Sequence, residues 1–189
     1  MLSSLLLGLL LFQGPGDGWA LVHDTRQVKR LYYDLSQTTE IWLRLIPEDP
    51  EGKPPLVNLI FQAFFPGRAE RDPYTGLPRE PKGPPARLVL VAQPLPMTMI
   101  RELSLRLTVD DKTVDLTGPT AKYRYLYPCG PGDGCSANGV EAEIDASLLR
   151  SLTGARVVTG QALGFPIKLT VEDQRVLAEF GSKVGLSGQ

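Results

Sequence analysis

Residues 103–116 read LSLRLTVDDKTVDL, and this stretch decides the fold class. Leu103, Leu105, Leu107 and Val109 occupy every second position, with Ser104, Arg106 and Thr108 between them. A period of two suits a half-buried β-strand, because successive side chains point to opposite faces of a sheet. Asp110-Asp111-Lys112 supplies turn chemistry and Thr113 to Leu116 resumes the strand pattern. The expected unit is an antiparallel hairpin with the leucines inward.

Upstream, the same pattern recurs. Arg26 to Asp34 alternates imperfectly, whereas EIWLRLI at 40–46 puts Ile41, Leu43 and Leu45 on one face and Trp42, Arg44 and Ile46 on the other. Ser36 to Thr39 suits a hairpin link between them. Residues 47–55 contain four prolines and form a loop. Leu56 to Phe65 is apolar on both faces, the mark of a central strand covered on both sides. Residues 66–86 then carry six prolines, no apolar period and a mixture of charges, with Tyr74 near the middle. A loop of this length inside a compact domain is usually functional or mobile. Proline limits the entropy lost on docking, which makes Tyr74 a candidate ligand contact.

Downstream, Arg87 to Ala92, Lys122 to Tyr127, Val140 to Ile144, Ala155 to Thr159 and Phe165 to Leu169 all read as strands. Asp145 is placed to cap a short helix through Leu152. Thr170 opens a capping-box-like T-V-E-D, after which Val176, Leu177, Phe180 and Val184 form one apolar stripe. Eight or nine strands with a short helix and a C-terminal amphipathic helix predict a mostly β fold. The expected architecture is an antiparallel β-sandwich or related barrel, in a single domain over 21–189.

The N-terminus reads as an address. Leu2 to Phe12 is a run of eleven uncharged residues. That is short of the roughly 20 a spanning helix needs and within the 7–15 of a signal-peptide core. Gly14 to Gly18 breaks any helix, and Gly18 and Ala20 are small residues at the −3 and −1 positions of a cut after Ala20. No Lys or Arg lies between Met1 and the run, which leaves room for a start codon upstream. A cut there removes Asp17 as the sole charged side chain, leaving 20 positive and 20 negative side chains among residues 21–189. The expected compartment is secreted or periplasmic. Cys129 and Cys135 flank a Gly/Pro turn and fit a small-loop disulfide there, with a loop-closure contribution of about 2–2.5 kcal/mol.

Catalytic side chains are scarce. One histidine, His23, cannot furnish a multi-histidine metal site, and no nucleotide-binding or H-E-x-x-H motif occurs. A net charge of −1 gives nucleic acid nothing to grip, so neither a cofactor nor a nucleic-acid partner is expected. Paired carboxylates are the catalytic option that needs no histidine. The candidates are Glu141, Glu143 and Asp145, read as sharing the outward side of one strand, and the hairpin acids Asp110 and Asp111. Tyr123, Tyr125 and Tyr127 share one side of another strand, where an aromatic row can stack on sugar rings. The leading expectation is a non-catalytic binding or scaffolding module whose partner is an envelope protein or a glycan. Its rivals are a glycosidase-like carboxylate-dyad hydrolase and a cytosolic interaction domain whose N-terminal run docks on a partner.

Overall fold

The computed structural model describes residues 25–33, 35–67, 70, 73–75, 79, 81–95, 100, 102–118, 121–124 and 139–186, with Tyr123 and Arg124 placed by backbone. Ten strands and two helices run through the described residues. In chain order they are β1 (Val28–Tyr33), β2 (Thr38–Leu45), β3 (Val57–Pro66), β4 (Arg87–Pro94), β5 (Leu105–Val109), β6 (Lys112–Asp115), β7 (Lys122–Arg124), β8 (Gly139–Glu143), α1 (Ala146–Gly154), β9 (Val158–Ala162), β10 (Phe165–Lys168) and α2 (Val171–Lys183). The strands form two sheets, a six-stranded one in the order β1-β2-β3-β4-β8-β7 and a four-stranded one in the order β10-β9-β5-β6. All pairings are antiparallel. The fold is mostly β and sandwich-like. The sheets are separate and open, so the barrel alternative is set aside.

Alternation selects the faces. Ile41, Leu43 and Leu45 of β2, Leu59, Phe61 and Phe65 of β3, and Leu88, Leu90 and Ala92 of β4 are buried in one cluster. Leu105 and Leu107 of β5, Leu149 and Leu152 of α1, and Val176, Leu177 and Phe180 of α2 belong to the same cluster. The Phe61 and Phe180 rings lie 6.2 Å apart, tilted by 53°. This core therefore draws on one face of the large sheet, the small sheet and both helices.

Several boundaries differ from expectation, each for a physical reason. The hairpin turns on Asp110-Asp111 alone, with Val109 opposite Lys112. Asp110 holds φ at 51°, and its carboxylate accepts from Arg156 N at 3.0 Å and Val157 N at 3.1 Å. Ser104 is not outward: it is fully buried, and its Oγ accepts from Gly164 N at 3.3 Å. The strand expected at 155–159 instead starts at Val158 and ends at Ala162. In its middle, Gly160 lets β5 approach so closely that a Cβ there would lie 2.1 Å from Arg106 O.

Asp145 leaves the strand face altogether. It caps α1, accepting from Leu148 N at 2.7 Å and the Ser147 hydroxyl at 2.6 Å. Thr170 and Asp173 form the complete capping box of α2. Asp173 is fully buried, and Arg26 Nε donates to it at 2.8 Å. That bond ties the chain entering β1 to the start of α2. The carboxylate raises the Arg26 guanidinium above its ordinary value through the hydrogen bond, with burial opposing.

The proline-rich stretch is braced where it is described. Pro66 ends β3, Arg79 N donates to Glu70 O at 2.6 Å, and Lys82 pairs with Glu70 at 3.1 Å. Arg30 Nη1 donates to Arg79 O at 2.9 Å.

Candidate functional site

The outer face of the six-stranded sheet, turned away from the core, is built from alternate residues of all six strands. Register sets them in rows. Leu31, Glu40, Phe64 and Arg87 stand opposite one another across β1 to β4. The next row is Lys29, Trp42, Gln62, Val89 and Glu143. A third row runs Arg44, Ile60, Val91, Glu141 and Lys122. Ile60, Val89 and Val91 make a second apolar cluster, with Trp42 and Phe64 packed against it. No residue of the small sheet or of either helix belongs to this cluster.

Charge surrounds the apolar centre. Lys29 Nζ lies 5.7 Å and Arg44 Cζ 6.0 Å from the centroid of the Trp42 ring. Arg87 Cζ lies 5.6 Å from that of Phe64. A cation over an aromatic face is attracted by the ring quadrupole, about 0.5–1 kcal/mol where exposed. Arg87 also pairs with Glu141 through Nη2 and with Glu143 through Nε at 3.1 Å. At the other corner Glu40, 3% exposed, accepts from Gln62 Nε2 at 2.6 Å. Burial first, and then the Glu40 carboxylate, push the Tyr33 hydroxyl up to about 12. An ionised carboxylate only accepts hydrogen bonds, so Glu40 dictates that Gln62 present its amide nitrogen. The Gln62 carbonyl is thereby turned away, and Gln62 Oε1 and Trp42 Nε1 are buried atoms without a partner.

The carboxylates read from the sequence fall apart as a catalytic group. Glu141 and Glu143 do lie on the outward side of β8, but one guanidinium holds both. A retaining or inverting pair on these two acids would have to work with both carboxylates drawn to the Arg87 guanidinium. Glu141 is also 6% exposed, not the solvated group its alternation with Val140 and Ala142 suggests. Asp145 and Asp110 are occupied as cap and turn ligand.

Tyr74 stands 94% exposed in the proline-rich stretch. The backbone of Tyr123 is opposite Val140 in the β7–β8 pairing. Tyr125, Tyr127, Cys129 and Cys135 lie outside the described residues. The sequence reading missed the combination of Trp42, Gln62 and Glu40. The usable signal was in β2, where Glu40, Trp42 and Arg44 alternate with the core residues.

The crevice among Pro47, Pro54, Pro55, Phe165 and Pro166 has a volume of about 10 Å³, room for one water. Among the described residues no group of three His, Cys, Asp or Glu is arranged to hold a metal ion, and no helix is long and apolar enough to cross a membrane. No protein-family model matches the chain, and comparison with curated proteins and with solved structures finds no match.

Proposed function

We propose that the chain is a secreted or periplasmic β-sandwich module that binds or scaffolds, without catalysis of its own, and that an envelope protein or a glycan is its partner. The observation that carries this reading is the outer face of the six-stranded sheet. It combines Trp42 and Phe64 with cations over both rings, on a sheet whose opposite face already supplies the core. Sheet faces with aromatic residues and long cationic side chains suit contact with an extended partner, because rings and aliphatic stems offer apolar area while the charged heads stay in water. The N-terminal apolar run and the Cys129/Cys135 pair support the compartment.

Two measurements test it. Intact mass from a secreting host is expected to show loss of residues 1–20 and an oxidised cysteine pair; a full-length reduced chain overturns the compartment. Photocrosslinking from a benzophenone side chain at position 29 or 122 is expected to give adducts in that host. Position 175, exposed on α2, is expected to give none. Equal labelling at all three positions, or none anywhere, overturns the outer face as the binding surface.

A further inference from the structure

We propose that Trp42 and Gln62 form a subsite for a hydroxyl of a neutral sugar, an inference that rests on the outer face being the binding surface and names its ligand class. Two independent features lead there. The first is the pair of orphaned atoms, the Trp42 Nε1 donor and the Gln62 Oε1 acceptor, on residues directly opposite in the β2–β3 register. A buried indole N–H or amide carbonyl left without a partner costs roughly 1–3 kcal/mol. A hydroxyl both accepts and donates, so one such group between these atoms satisfies the two together. A carboxylate would satisfy the donor and repel the acceptor. An ammonium would do the reverse. The second feature is the half-buried Trp42 ring itself, which offers an aromatic face to the C–H side of a pyranose.

Glu40 sets the polarity of the subsite through Gln62, as the 2.6 Å bond from Gln62 Nε2 requires. Lys29 and Arg44 lie over the indole on flexible stems. A sugar ring docking on Trp42 displaces these side chains sideways and brings its own hydroxyl to the orphaned pair.

The mature chain allows a direct readout, because the sequence has two tryptophans and the expected cut after Ala20 removes Trp19. Trp42 emission then reports the site without any mutation. Dextran, xylan and hydroxyethylcellulose serve as neutral probes and polygalacturonate as the acidic one. At least one neutral polymer is expected to shift Trp42 emission saturably and to retard the protein in affinity electrophoresis. Trp42→Phe keeps a stacking ring but loses the N–H, and Gln62→Leu loses the acceptor. Each is expected to weaken retardation about two- to tenfold, the worth of one hydrogen bond, with melting temperatures confirming that both variants fold. Flat emission with all three neutral polymers overturns the inference. So does retardation unchanged in both variants, which would assign the orphaned pair to a water only, or retardation by polygalacturonate alone. If position 29 crosslinks while no neutral polymer binds, the outer face stands as the binding surface and only the sugar subsite falls.

Discussion

Ile60 and Phe61 are neighbours in β3, yet they belong to two environments made by the same strands. Phe61, 1% exposed, faces the continuous apolar core and meets Phe180 from α2. Ile60, 9% exposed, sits in a small apolar island bounded by Trp42 and Phe64 and ringed by Glu40, Arg44, Arg87 and Glu141. One face is held by shape and area. On the other, a thin apolar centre is shielded by long side chains, among them Arg87 paired with Glu141 and Glu143. A sheet that devotes only one face to the core has the second available for other work, and the polar ring shows how that face is kept from simple apolar association.

The strongest way to break this contrast is to truncate the same residue type on each face of one strand. Phe61→Ala is expected to destabilise by about 3–5 kcal/mol, since it opens a cavity between sheet and helix. Phe64→Ala, on the partly exposed outer face, is expected to cost about 1–2 kcal/mol, because less area leaves water's exclusion and the gap is open to solvent. Urea unfolding of both variants measures the difference. Equal losses would mean that the outer face is as much a core as the inner one.

That contrast explains how far the sequence could be read. Alternation in 40–46 and 105–109 is a local property, so the face assignments of β2 and β5 were legible, as were the capping residues Asp145 and Thr170. Leu56–Phe65 even announced a strand apolar on both sides. Register is not local. The row Lys29, Trp42, Gln62, Val89 and Glu143 gathers five strands, and nothing in any one segment says which positions will stand opposite. Glu40 read as the edge of a strand, and its burial comes from partners on β1 and β3. Gly160 gave no sign either, because its need for close approach arises only once β5 lies beside it.

A second test sharpens the role of charge on the outer face. Removing Arg87 alone, as in Arg87→Met, takes the guanidinium away from the buried Glu141 carboxylate, whose side chain is 7% exposed. The cost is expected at about 2 kcal/mol, below the 3–5 kcal/mol of a fully buried pair because Arg87 is itself 33% exposed. The double change Arg87→Met with Glu141→Leu is expected to recover most of that loss, since a buried ion pair and an apolar pair of similar volume are close in stability. A double-mutant cycle by urea denaturation gives the coupling energy. Additive losses would show that the guanidinium acts through its contact with Phe64 and not through Glu141.

Beyond Glu141 and Glu143 of β8 the chain leaves the strand, and Asp145, the exposed cap of α1, should respond to pH as a surface group. Hydrogen bonds from the Ser147 hydroxyl first and Leu148 N second hold the Asp145 carboxyl below its ordinary value. A folded value below the unfolded one, about 3.9, means that the stabilisation is complete above that pH. It is lost as pH falls further through the folded value. Asn caps a helix about as well as Asp but does not titrate here. Asp145→Asn is therefore expected to leave the melting temperature at pH 7 within about 1–2 °C of the parent. Below pH 4 it should flatten part of the acid-induced fall. A fall of unchanged steepness would place the acid sensitivity elsewhere in the molecule and leave the Asp145 cap with no part in it.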